Sequence, residues 1–561
     1  MKSALHGKSF KRVKLSRILK FCIPIIFLTI FLYLPLFNIT KTAFFSESNK
    51  FTFDNFYTIF TRPYTLKVLT FTFKEAFISA LFTLIIGFPG AYIISHYDFK
   101  GKGFLISLTT VPFVLPSVLV ALGFIVLFGT NGFVNQILMR VFHLSHPISL
   151  LYSFTGIILV HVFYNFPIVV RIIGADWEGI SEEYKFAAES MGASRLVVFI
   201  KVIIPLLLPA IIASFSLVFV FCFLSFVIIL TIGGARFATI EVSIYTYYNM
   251  FSDFKMGSAL ALFQGIFSLL FMYVYLWSGN LIKKGTLKRG IAKKKNIVKN
   301  KTTLSLSLAY LIFVVTLIIA PITVIFISAF RNPLTGAFTL SNFAGLMSSK
   351  YNYITGVLPI HVIGNSLIFA GITVIFSIIF ALLIAYGLRG RFIGKNILLA
   401  LFMLPLAISP ITIALSYIIS FQGHPALLNS WIIIPIAHTL IALPFTVRAL
   451  LPMIETTSVS YVFVAESLGM SRLKAFFSVD LNLIRPALIA AAVFSFAISM
   501  GEFGAAYMLY KPFFTTMPIA LFRFLSGRHF GIASAMGALL VLASLVAFIL
   551  IDKLKKEVPI I

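Results

Sequence analysis

The sequence predicts an all-α polytopic membrane protein of about twelve transmembrane helices, arranged as two parallel six-helix halves. Three observations lead there: the composition, the spacing of long apolar runs, and an internal repeat. Hydrophobic residues make up 60% of the 561 and charged residues 11%, with a mean hydropathy of +1.03. That is far more apolar than a soluble globular chain. A helix needs about 20 apolar residues to cross a bilayer. Runs of that kind fall at 18–38, 68–94, 104–128, 149–173, 205–231, 259–282, 304–329, 362–387, 397–420, 431–451, 484–508 and 531–552. Pro116, Pro167, Pro410 and Pro444 lie inside four of them and predict kinks or local unwinding.

The first run follows the basic stretch KSFKRVKLSR and has no small-residue cleavage site, so it is expected to be an uncleaved span rather than a secretory signal. The net charge of +28 invites a nucleic-acid reading, which the placement of the charges removes. Basic residues gather in that N-terminal stretch, in HYDFKGKG and LRGRFIGKN, in Lys283–Lys301, and in the tail KLKK. With alternating spans all of these lie on one side, which predicts cytoplasmic termini and contact with anionic lipid. No base-stacking or base-reading motif accompanies them. Cys22 and Cys222 fall inside predicted spans and are expected to be core residues.

The repeat fixes the organisation. FAAESMGASRL at 186–196 and FVAESLGMSRL at 463–473 agree at eight of eleven positions, 277 residues apart. At the same offset His161 matches His438, Pro167 matches Pro444, Arg171 matches Arg448, Glu178 matches Glu455, Pro209 matches Pro486, Phe226 matches Phe503 and Thr239 matches Thr516. Upstream the offset is 293, relating Pro112 to Pro405 and Leu122 to Leu415. Six spans per half give both halves one orientation, with a pseudo-two-fold axis along the membrane normal. The expected units are a first half at 1–282, a polybasic linker at 283–303 and a second half at 304–561.

Both copies of the repeated stretch fall between the fourth and fifth spans of their half, on the predicted cytoplasmic side. Glu183–Ser190 is rich in helix formers, Gly192 and Gly469 suit the left-handed residue that ends a helix, and Ser194 and Ser471 suit the cap of the next. Ala187, Ala188 and Ala465 are small enough for close helix approach. A loop that merely joins spans has no reason to hold its sequence twice, so the pattern points to a docked surface.

The stretch resembles the EAA motif of ABC-importer permeases: Glu-Ala-Ala, three residues, Gly, nine residues, Ile-x-Leu-Pro. Ala187, Ala188 and Gly192 match in the first half, with Val202, Ile204 and Pro205 near the ending; Ala465 and Gly469 match in the second, with Val479 and Leu481. Phe186 and Phe463 stand where the family has Glu, Val464 replaces an Ala, and Asn482 stands where Pro205 does, while Glu189 and Glu466 supply an acid nearby. The resemblance implies a type I importer fold whose loops, including Arg195 and Arg472, dock two copies of an ABC ATPase subunit. It further implies a periplasmic or lipid-anchored substrate-binding protein and residence in the bacterial cytoplasmic membrane. ATP and Mg would be used by the partner subunits, with no cofactor in this chain. Fused permeases of this kind occur among thiamine and ferric-iron importers, and GIILVHVFYNFPIVVRI, FCFLSFVIILTIGGARFATIEVSIY and SMGEFGAAYMLY are most similar to the thiamine type, with ferric iron as the alternative.

Other chemistries find little support. GRFIGKN has Gly spacing one short of a phosphate loop and Asn396 after Lys395. His161 and His438 have no carboxylate or second His at ligand spacing in sequence, so interhelical hydrogen bonds are expected of them rather than a metal. Ionisable groups at bilayer depth face a cavity or a partner, and the carboxylates inside the predicted spans are Glu75 and Glu502. Glu502, beside Phe503 and with Phe226 as the repeat partner of that ring, is the expected substrate-path group for a cationic cargo, through charge and cation–π attraction; packing against a neighbouring helix is its other reading. An ion-coupled secondary transporter is the competing class; it predicts coupling-ion carboxylates at mid-membrane, where this chain has two acids, and it has no use for the repeated loop.

Overall fold

A computed structural model of the chain describes residues 20–46, 48–109, 111–284, 295–296, 301–332, 335–390, 392–457 and 460–555. The basic N-terminal stretch and most of the expected linker at 283–303 lie outside those residues. Lys295–Asn296 pairs in parallel with Tyr97–Asp98, so this short piece of the linker rests on a loop of the first half, where a segment too charged to pack was expected.

The first half begins with α1 (Lys20–Phe44), followed by short α2 (Asp54–Thr61) and long α3 (Pro63–His96). Asn55 of α2 donates to the Ala43 carbonyl at the end of α1 at 2.8 Å. Then come α4 (Lys102–Leu108), α5 (Ser117–Phe128), α6 (Phe133–Val141) and α7 (Phe154–Glu178). The hairpin helix α8 (Glu182–Ser190) leads into α9 (Arg195–Phe223). Two helices close the half, α10 (Ile240–Asn249) and α11 (Phe254–Lys284). The second half repeats the series: α12 (Lys301–Ala329), α13 (Ser341–Gly345), α14 (Pro359–Leu388), α15 (Lys395–Ala407), α16 (Pro410–Phe421) and α17 (Ile433–Thr456). It ends with α18 (Ser460–Ser467), α19 (Arg472–Leu483), α20 (Arg485–Gly501), α21 (Gly504–Met508), α22 (Met517–Ser526) and α23 (Phe530–Lys555). Asn342 of α13 holds the Ala329 carbonyl at 3.0 Å, as Asn55 does in the first half.

Among the described residues nine helices are long and apolar enough to cross a membrane, and eleven when each of two bent pairs counts as one span. The twelfth expected span is α23, a 26-residue helix apolar from Phe530 to Ile551. The third span of each half is broken at its proline. In the second half α15 and α16 meet at 96° before Pro410, and in the first the separate α4 precedes Pro116, so the span runs 117–141 rather than 104–128. Pro167 and Pro444 do not break their helices. They sit in α7 and α17, most of whose apolar length is buried between α3 and α9 or between α14 and α20, and the surrounding helices hold the chain straight.

The halves interlock by exchanging their first helices: α1 packs on α16 of the second half, and α12 on α5 of the first. Asn38 donates to Ser420 at 3.0 Å, and Tyr310 to the Ile86 carbonyl at 2.9 Å. Close approach needs a missing side chain at Gly123 of α5, where a Cβ would stand 2.8 Å from the Pro321 carbonyl oxygen of α12. We therefore expect Gly123→Val to lower the thermal unfolding temperature of the purified chain, at a cost of about 1–3 kcal/mol from overpacking. Gly371→Ala on α14, where a Cβ meets nothing within 4 Å, should leave it unchanged.

Candidate functional site

The repeated stretch folds as the same helix–turn–helix in both halves. In the first, Ser181 caps α8 by accepting from Glu183 N–H at 3.2 Å. The helix ends with Gly192 at φ 84°, Gly192 N–H bonding the Glu189 carbonyl and Ala193 N–H the Ala188 carbonyl. That pair of bonds is the glycine-terminated C-cap, in which an L side chain is strained. In the second half Gly469 has φ 90°, with Gly469 N–H to the Glu466 carbonyl and Met470 N–H to the Ala465 carbonyl. Ser194 and Ser471 then accept from Val197 and Lys474 N–H as caps of the helices that follow. Ala188 is half-buried and Ala465 buried, while Ala187 is exposed. Glu189 faces Lys185 at 3.9 Å, Glu466 is half-buried, and Arg195 and Arg472 are exposed.

What the hairpins display is apolar. Met191 and its repeat partner Leu468 are 87% and 81% exposed, Leu196 and Leu473 66% and 73%, and Phe186 and Phe463 55% and 61%. Each pair is separated by the same 277 residues. The aromatic rings replacing the family's acid thus face outward at both sites. A π turn follows each hairpin at equivalent positions, Phe199–Ile203 and Phe476–Asp480. The first runs on into α9 without a break. The second is followed by a 74° bend between α19 and α20, where Asn482 turns its amide onto the Ser478 carbonyl at 2.7 Å.

At the other end of the bundle both predicted histidines are buried and tied to carboxylates that sequence spacing did not reveal. His161 Nδ1 contacts Glu75 Oε1, Ser79 donates to the same oxygen at 2.7 Å, and His161 Nε2 meets Ser225 at 2.8 Å. His438 Nδ1 meets Ser499 at 2.8 Å, and its Nε2 stands 3.2 Å from Glu502 Oε2. Glu502 also accepts from Ala505 and Ala506 N–H at 2.8 and 2.9 Å, capping the start of α21. Ser225 and Glu502 are repeat partners, as are Cys222 and Ser499, so the acid comes from α3 in one half and from the end of α20 in the other. Glu75, His161 and Cys222 bring potential metal-ligand atoms within 4.8 Å of one another; Asn165 donates to Cys222 and Ser79 to Glu75 within that group.

Phe226 and Phe503 stack on each other across the seam between halves, 6.0 Å apart. Tyr245 of α10 packs on Phe226 at 5.6 Å and its hydroxyl lies 3.5 Å from that of Tyr507, while Phe522, the repeat partner of Tyr245, packs on Phe503 and Tyr507. One acid in this region escaped the sequence reading. Glu241, between the fifth and sixth expected spans, is fully buried because α10 folds back into the bundle, its Ile240 N–H held by Thr72 at 3.0 Å; Ser366 holds Met517 N–H of α22 likewise at 2.7 Å. Since each Glu502 oxygen accepts a backbone N–H, from Ala505 and Ala506, Glu502→Gln would set an NH2 against one of those N–H groups. We expect a loss of about 1–3 kcal/mol, read as a lower thermal unfolding temperature; an unchanged temperature with impaired uptake would instead favour Glu502 as the path group expected from the sequence.

The geometry agrees with the company the chain keeps. The family model of the binding-protein-dependent transport system inner membrane component matches twice, at 84–288 and 373–558. The chain is 27% identical to the ferric transport system permease protein FbpB of Actinobacillus pleuropneumoniae, over 98% of this chain and 80% of that protein. It is 25% identical to the thiamine transport system permease protein ThiP of Haemophilus influenzae, over 87% and 89%. A crystal structure of a bacterial ABC transporter that imports alginate aligns with a TM-score of 0.41 and 18% identity, over 49% of this chain and 99% of that one. With the family domain present in each half, the chain belongs to the binding-protein-dependent transport system inner membrane components, as a fused two-half ABC-importer permease.

Proposed function

We propose that this permease moves a small cationic cargo inward by alternating access, driven by two ATPase subunits, one seated on each hairpin. The observation that carries the reading is the paired display of Phe186, Met191 and Leu196 and of Phe463, Leu468 and Leu473 on hairpins of one geometry. Apolar side chains this exposed on a polar loop mark a contact surface, and two matching surfaces suit two copies of one partner. The hairpins and both termini are assigned to the cytoplasm, residues 283–303 join the halves at 1–282 and 304–561, and a binding protein delivers cargo at the opposite face.

Thiamine is the first reading of the cargo, because Phe226, Tyr245, Phe503, Tyr507 and Phe522 gather at the seam and their π faces suit a flat organic cation. Ferric iron is the second, supported by the similarity to the ferric permease over nearly the whole chain. Uptake of labelled thiamine and of labelled ferric iron, measured in the same membranes, decides between them.

Docking has its own test. Gly469→Asp forces a side chain into a positive-φ turn, and Leu473→Asp puts charge in the middle of the exposed apolar face. Either should leave the chain in the membrane while reducing ATPase co-purification and uptake roughly tenfold, the order expected for losing about 1.4 kcal/mol at an interface. Unchanged co-purification in both variants would remove the coupling role. Gly192→Asp and Leu196→Asp should act in the same direction.

A further inference from the structure

Four carboxylates are buried among the described residues: Glu75, Glu241, Asp480 and Glu502. Asp480 lies in the π turn at the foot of the second hairpin, and the other three lie toward the opposite end of the bundle. Glu75 and Glu502 each lie against a histidine and accept from further donors, with Glu75 Oε2 left over. Glu241 does neither. Neither of its oxygens completes a hydrogen bond, and no basic side chain pairs with it among the described residues.

The side chains facing it explain why. Ser409, at the start of α16 in the second half, and Gln264 of α11 face the carboxylate. The Ser409 hydroxyl is engaged on Thr412 at 3.0 Å and one N–H of Gln264 on the Phe223 carbonyl at 3.1 Å, so what they can offer Glu241 is incomplete. The Gln264 amide oxygen is itself unpartnered, as are the hydroxyls of Thr239 and Ser243 beside Glu241 in the chain. Thr239, Ser243 and Gln264 thus leave oxygen atoms unpartnered around a carboxyl whose own two oxygens complete no hydrogen bond, an oxygen-rich setting of the kind a cation uses. It also lies at the seam. Glu241 stands one helical turn before Tyr245 and so shares its side of α10, just behind the ring that packs on the stacked Phe226–Phe503 pair. The repeat partner of Glu241 is Pro518, so the carboxyl is supplied by one half only.

We propose that Glu241 is the cation-binding carboxylate of the translocation path, reached by the cargo when the Phe226–Phe503 pair parts. This rests on the reading of the chain as a permease for a cation. An acid that is costly to bury and gains no internal partner is then retained for what it binds in passing.

The test uses the complete transporter, with its ATPase and binding-protein partners, in proteoliposomes with labelled thiamine and labelled ferric iron as probes. Glu241→Gln should lower uptake of the transported probe at least tenfold, and Glu241→Asp should keep a clearly measurable fraction. The thermal unfolding temperature of the Gln variant should equal that of the wild type within error, since an amide matches the carboxyl in size and no internal ion pair is lost, and its ATPase association should be intact. Full uptake in the Gln variant overturns this inference alone, and so does a joint fall of stability and uptake that Asp does not rescue. A wild-type transporter that moves neither probe overturns the cation-permease reading and this inference with it.

Discussion

A buried histidine in each half ties three helices together, and the geometry of the seam follows from that contact. Water is absent from the bilayer core, so polar groups there are satisfied from within the protein. His161 joins α7 to α3 through Glu75 and Ser79, and to the end of α9 through Ser225. His438 joins α17 to Ser499 and Glu502, and Ser499 reaches Thr373 of α14 at 3.3 Å. Because Ser225 and Glu502 immediately precede Phe226 and Phe503, these contacts fix where the fifth helix of each half stops and the aromatic residue leaves it. The two rings meet as a consequence of two histidine anchors at equivalent depth.

How much of this the sequence disclosed depends on whether like faces like. The hairpins were legible because Gly192 and Gly469, Ser194 and Ser471 are identical at one offset and carry specific backbone demands. Phe226 and Phe503 were legible for the same reason. The histidine partners were hidden because the acids have changed places: Ser225 answers Glu502, and Phe369, three residues after Ser366, stands where Glu75 stands three after Thr72. Glu241 was hidden by hydropathy. IEVSIYTYYN is too short and too polar for a span, and its burial comes from tertiary re-entry anchored at Thr72. Pro167 and Pro444 misled in the other direction, since local helix preference is overridden where neighbours pack on most sides.

The pattern of symmetry also divides the molecule by task. The hairpin surfaces are matched at their three exposed apolar pairs, in turn geometry and in the π turn that follows. The proposed pair of identical partners would impose that matching. The seam keeps the scaffold of the repeat, with α10 and α22 held alike by Thr72 and Ser366, yet changes its chemistry, with Glu241 opposite Pro518 and Tyr245 opposite Phe522. A small cargo on the axis sees both halves at once, so nothing requires them to offer the same group.

The two regions are joined by the fifth helices. In the first half the chain from Arg195 to Phe223 is one helix carrying a π turn near its start, and Phe226 follows within a few residues of its end. About 30 Å of continuous helix, at 1.5 Å per residue for the 20 residues beyond the π turn, moves as a rod, so a shift of the hairpin is felt at the aromatic pair. In the second half the 74° bend between α19 and α20 separates hairpin from rod, and Asn482 stabilises the bend with its own side chain. Equal forces at the two hairpins would therefore reach Phe226 and Phe503 by different routes. A stacked pair needs only one ring to slide for the contact to open, so the stiffer first half, which also carries Glu241, is the side on which opening the seam and exposing the carboxyl are mechanically linked.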